Sequence, residues 1–124
     1  MRELLEWLRD RALAQKVQFM DVRYVVRSAT GLTVEDGKAD KLHVGRGEGL
    51  GVRVLLGGAW GFGSANWPDR DKAATCLDQA LQMAKEAAAH GGGEAAVPEV
   101  EPVSAEVSTE VQVPPASVPL ERKV

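Results

Sequence analysis

Few side chains in these 124 residues combine a type and a spacing that could do chemistry. His43 and His90 are the only histidines and Cys76 the only cysteine. A zinc site needs three or four convergent N, S or O ligands, and one strand histidine, one helix-end histidine and one helical cysteine offer no spacing that guarantees convergence. Each also has a structural reading. His43 alternates with Leu42 and Val44, so it lies on a polar or docked sheet face; Cys76 adjoins Leu77 on an apolar helix stripe and reads as a packed thiol; His90 beside Gly91 suits a helix C-terminus. Glu35, Asp36 and Asp40 imitate a carboxylate pair, but Asp36-Gly37 is a turn dipeptide and the other two read as solvated. The glycines at 45, 47, 49 and 51 fail the GxGxxG pattern and lead into a strand, not a helix N-terminus. Gly31 to Lys38 likewise lacks P-loop spacing, and Ala39 stands where Ser or Thr must bind magnesium. No catalytic and no metal-ligating residue is assigned.

Arg53 is different. It alternates with Val52 and Val54 in a central strand, so its guanidinium leaves the apolar face and points to whatever meets the other side of the sheet. There it can pair with a carboxylate across an interface or project into solvent. Trp60 and Phe62 follow on the next strand. They read first as core aromatics; if exposed, they mark a docking face for a second domain or a peptide.

The elements that must position these residues are legible from period and punctuation. Met1, Leu4, Leu5, Leu8 and Ala12 form one stripe of a helix over about residues 2–15. From Gln18 the period becomes two, with Met20, Val22, Tyr24 and Val26 on one face and Asp21, Arg23, Val25 and Arg27 on the other. Thr30-Gly31 predicts a turn into a short second strand ending at Glu35, and Asp36-Gly37 a tight hairpin turn into a third. The alternating glycines, with Gly49 and Gly51 nearest the next hairpin, predict a bulge or bend. Gly49 to Asn66 then writes a hairpin whose Gly57-Gly58 supplies the positive φ of a primed turn. Pro68 ends the sheet, Asp69 caps a second helix with a small-sided stripe from Ala73 to Ala88, and Gly91-Gly92-Gly93 stops it. The expected fold is α+β: an antiparallel meander of about five strands with two helices on one face. Residues 1–92 form the domain, and the Pro/Val/Glu-rich residues 93–124 an extended linker.

Composition narrows the function classes. No apolar run approaches the roughly 20 residues a membrane helix needs, and the mixed charges of the first dozen residues exclude a signal peptide, so a cytoplasmic location is expected. Residues 1–90 carry 13 basic and 12 acidic side chains, while residues 91–124 carry 2 and 6. A nearly neutral body with an acidic tail lacks the cationic footprint of a nucleic-acid binder, which disfavours a single-stranded nucleic-acid platform built on Trp60 and Phe62.

With these pieces in order, the chain resembles the N-terminal domain of the TldD/PmbA family of zinc metallopeptidase-related proteins, also described as modulators of DNA gyrase. Asp21-Val22-Arg23-Tyr24, Leu32 to Lys38, Gly49 to Val54, Gly58 to Phe62 and Ser64-Ala65-Asn66 carry the likeness, which covers about residues 3–90. The resemblance implies a two-domain parent whose zinc ligands, a His-Glu-x-x-x-His motif and a later cysteine, lie in a C-terminal domain outside these residues. It implies no cofactor in this chain and zinc in the parent. Its expected partners are its own C-terminal domain, a second copy or a metal-free TldE/PmbA-type subunit, and a peptide substrate, with neither nucleic acid nor membrane. The role implied is non-catalytic: enclosing the peptide cavity and supporting dimer assembly. The alternatives are the N-terminal domain of the metal-free subunit, or a stand-alone module that takes an extended peptide on its sheet.

Overall fold

The computed structural model describes residues 1–124. Helix α1 (Arg2–Leu13) forms where the leucine stripe predicts it and buries Leu8 and Ala12. It ends in a turn at Lys16, whose φ of 58° is left-handed. Three strands follow, β1 (Phe19–Glu35), β2 (Lys38–Leu56) and β3 (Ala59–Asn66), ordered β1-β2-β3 in one antiparallel sheet. Helix α2 (Arg70–Ala89) completes the α+β fold.

The sheet has three strands where five were expected. The first two expected strands are one continuous strand, as are the third and fourth. Gly31, Gly45, Gly47, Gly49 and Gly51 do not adopt the positive φ of a turn. Glycine permits a bend without imposing one, and where neighbouring strands satisfy the backbone an extended glycine is carried along. The true turns are the two dipeptides that need left-handed backbone at both positions. Asp36 and Gly37 have φ of 48° and 73°, and Gly57 and Gly58 have φ of 62° and 74°. Both are primed turns, whose twist matches that of the strands they join.

The chain divides into two compact units, residues 1–26 with 47–99, and residues 27–46 with 100–124. The first holds the core. Leu50, Val52 and Val54 of β2 meet Leu8 and Ala12 of α1 and Ala73, Cys76, Leu77, Ala80, Leu81 and Ala84 of α2. Met20, Val22 and Tyr24 extend this face along β1. Each fully buried Leu or Val contributes on the order of 1.5–3 kcal/mol, so this one apolar face carries the fold. The small-sided stripe of α2 has a counterpart on the sheet: Gly61 and Gly63 of β3 lie directly beneath the carbonyls of Ala80 and Cys76. A Cβ at either glycine would collide with helix backbone. Helix and strand therefore touch main chain to main chain, a contact only glycine allows.

Both ends of α2 are closed as the sequence requires. The Asp69 carboxylate accepts a hydrogen bond from the Lys72 amide at 2.8 Å. At the other end Gly91 takes φ of 88°, and the amides of Gly92 and Gly91 reach back to the carbonyls of Ala87 and Ala88. This paired closure is a Schellman motif. Arg11 and Arg70 both lie over Trp7, with guanidinium carbons 5.7 and 4.5 Å from its ring centroids, and Arg11 also reaches Asp78 at 3.4 Å.

In the second unit, the distal halves of β1 and β2 form a two-stranded arm around the Asp36-Gly37 turn. Its later part holds two short 3-10 turns, Pro115–Ser117 and Leu120–Arg122. Residues 92–114 contain no helix or strand, consistent with their proline spacing.

Candidate functional site

Because α1 and α2 cover one face of the sheet, the odd-numbered residues of β2 emerge on the other. The register sets Arg53 opposite Phe62, Leu55 opposite Trp60 and Gly51 opposite Ser64. From β1, Phe19 and Asp21 join the same face. Phe19 meets Trp60 edge-on, with centroids 5.8 Å apart and planes at 75°. The Arg53 guanidinium carbon lies 5.1 Å from the Trp60 ring centroid and 5.8 Å from that of Phe19, and Nη2 forms an ion pair with the Asp21 carboxylate. Two aromatic rings and one carboxylate thus hold a single guanidinium. That arrangement suits arginine, a planar and weakly hydrated cation, better than lysine.

The cluster is not closed: the Arg53 side chain is 40% exposed, although its Nε is buried and has no hydrogen-bond acceptor. Phe62, beside it, is 53% exposed. An open depression of about 560 Å³ is lined by Asp21, Arg23, Arg53, Phe62 and Ser64 of this face together with Gly63 and Gln79 from the helix side. Its lining holds no histidine, cysteine or lysine. It can recognise a ligand through a fixed cation, an exposed ring and several hydrogen-bond donors.

The structure brings together Arg53, Trp60 and Phe62, the three docking candidates of the sequence, and adds Phe19, Asp21 and Arg23. The two aromatics lie outside the helix-side core, Trp60 half-buried and Phe62 largely open. The signal for Asp21 and Arg23 was their alternation onto the same face, but which residue of β2 they would meet depends on a register that no local motif encodes. Among the backbone-shape glycines, Gly37, Gly57 and Gly58 have positive φ, while Gly49 and Gly51 are extended. A Cβ at Gly51 would meet nothing within 4 Å.

The remaining polar candidates do not converge. No group of three or more His, Cys, Asp and Glu side chains is placed to hold a metal ion. Cys76 is buried against the sheet; burial pushes its thiol pKa up, partly offset by a backbone hydrogen bond at Val52. His90 places Nδ1 2.8 Å from the Glu86 carbonyl at the end of α2. His43 is exposed on the distal arm, as are Glu35, Asp36 and Asp40. The donor set of this chain does not fit a zinc centre. No helix is long and apolar enough to cross a membrane.

Residues 20–88, more than half of the chain, match the family model described as PmbA/TldA metallopeptidase domain 1. Two curated relatives carry the same likeness. A protein of Methanocaldococcus jannaschii named metalloprotease MJ0996 is 31% identical over 67 residues, spanning 54% of this chain and 15% of that protein. A protein of Methanothermobacter thermautotrophicus named metalloprotease is 31% identical over 58 residues, spanning 47% of this chain and 13% of that protein. The matched stretch takes in β2, β3 and nearly all of β1 and α2, and so most of the core and of the open face, while α1 and Phe19 lie before it. This chain belongs to the PmbA/TldD metallopeptidase family, and its matched residues correspond to the family's first domain.

Proposed function

We propose that the chain is the non-catalytic N-terminal domain of a longer zinc-dependent peptide-hydrolysing subunit. Its helix-free sheet face helps enclose the peptide cavity, and the domain supports assembly with a second copy or with a metal-free partner subunit. The observation that carries this reading is the Arg53 cluster: a fixed cation, a buried donor without an acceptor and an exposed phenyl ring stand on the one sheet face that the helices leave open. The matched stretch spans about one-seventh of the length of each of the two relatives, which leaves room for the machinery elsewhere. The residues present here supply recognition surface but no metal ligands, so zinc belongs to the remainder of the parent. A buried lone thiol accords with the reducing cytoplasm in which we place it.

The test is made on the full-length parent. Removal of residues 1–92 should abolish hydrolysis of unfolded peptides while leaving stoichiometric zinc on the remainder, measured by elemental analysis. The 124-residue chain alone should neither hold zinc nor cleave peptide. Chelator-sensitive hydrolysis by the chain alone, or undiminished hydrolysis by the remainder, would refute the proposal.

A further inference from the structure

We infer that the depression over Arg53 receives an extended peptide bearing an acidic side chain, with its carboxylate at Arg53 and Arg23 and a neighbouring apolar side chain laid on Phe62. This rests on the reading above, in which the same face lines the peptide cavity. The lining itself selects the charge. Two guanidinium groups, Arg23 and Arg53, stand against one carboxylate, Asp21, leaving one positive charge over. Ser64 and Gln79 add a hydroxyl and an amide that can donate. Arg53 gives Nη2 to Asp21, and its side chain as a whole keeps 40% of its surface exposed.

The guanidinium is also held before a ligand arrives. Stacking on Trp60 and Phe19 and pairing with Asp21 restrict its rotamers, so less side-chain entropy is lost on binding than for a free surface arginine. A carboxylate offers charge-assisted and bidentate hydrogen bonds, roughly twice as strong as those of a neutral amide. The exposed Phe62 directly across from Arg53 calls for an apolar group on the same side of the ligand, so the favoured sequence carries its acidic and apolar residues two positions apart, where an extended strand presents both on one face.

The probe is a capped seven-residue peptide with Glu, Val and Glu at its second, fourth and sixth positions and Ser elsewhere, with its Gln counterpart, titrated into the 124-residue chain while backbone amide shifts are followed. At low salt the Glu peptide should move the amides of Arg53, Phe62 and Ser64 and bind at least about tenfold more tightly than the Gln peptide. The preference should shrink severalfold near 0.5 M salt, where screening reaches a few ångströms. Arg53→Gln should remove most of it, Arg53→Lys should retain part, and Arg9→Gln, an exposed change on α1, should leave it intact. If Arg53→Gln fails to fold, Arg23→Gln and the salt series on the unaltered chain decide the matter. Equal affinity for the two peptides, or shifts confined to another surface, would overturn the inference. In the full-length parent, loss of hydrolysis with Arg53→Gln but no preference for Glu over Gln peptides would sink the acidic specificity and leave the cavity-lining role standing. Undiminished hydrolysis after removal of residues 1–92 would sink that role itself.

Discussion

Substituting Gly61 by alanine should be among the most damaging single-methyl additions in this domain. The new Cβ would lie 2.8 Å from both the Ala80 carbonyl carbon and the Ala84 nitrogen, and nearer still to the Ala80 oxygen, whereas ordinary contact begins near 3.4 Å. Relieving the carbon and nitrogen contacts alone takes about 0.6 Å, and the closer Ala80 oxygen makes helix α2 retreat by more than that; neither side can yield by rotating a side chain, because both are main chain. A gap of 0.5–1 Å forfeits about a quarter to a half of each dispersion contact. The buried Ala73, Leu77, Ala80 and Ala84 all stand to lose such contacts. Overpacking of this kind costs about 1–3 kcal/mol, and the rigid backbone on both sides places this case at the upper end. Alanine regains roughly 0.5–1 kcal/mol of the entropy that glycine loses, leaving a net loss of about 2–2.5 kcal/mol. In a domain of this size that lowers the melting temperature by roughly 10–20 °C. Gly51→Ala is the control, since its Cβ enters open space in the adjacent strand, and it should be neutral or stabilising by about 0.5 kcal/mol. Urea denaturation followed by far-ultraviolet circular dichroism measures both. If Gly61→Ala unfolds within 0.5 kcal/mol of the unaltered chain, or if Gly51→Ala costs as much, the close helix-strand contact does not govern stability as described.

Two further outcomes rest on independent features. Asp69→Ala removes the carboxylate that accepts from the Lys72 amide and should cost about 1 kcal/mol in the same urea assay, with Asp69→Ser recovering most of the loss. The raised pKa of the buried Cys76 thiol means that the folded state holds its proton to higher pH than the unfolded chain does. Its contribution is fully present below the thiol's ordinary value of 9.0 and falls as pH rises above it, because only the unfolded chain then ionises freely. Urea midpoints at pH 8 and pH 10, compared between the unaltered chain and Cys76→Ala, isolate that slope. The native thiol should also react slowly with a disulfide reagent until denaturant is added.

Much of this protein is written locally. The leucine spacing of α1, the alternation of β1 and β2, the Asp36-Gly37 and Gly57-Gly58 turns, the Asp69 cap and the glycine stop after α2 all depend on residues within a few positions of one another. The same short pieces, taken in order, carry the family likeness. Even the outward direction of Arg53 follows from strand alternation alone. Strand continuity was a different matter: Gly31 and the glycines from 45 to 51 are equally compatible with bending and with extension, and pairing with the neighbouring strand selected extension. The importance of Gly61 and Gly63 was equally hidden, because it arises from helix backbone more than ten residues away. The cluster of Phe19, Asp21, Arg53 and Trp60 depends on cross-strand register, which is set by the core face and by two distant turns acting together. Period and punctuation assign a residue to a face; only the folded sheet brings Phe19, Asp21 and Trp60 from two strands around the guanidinium of a third.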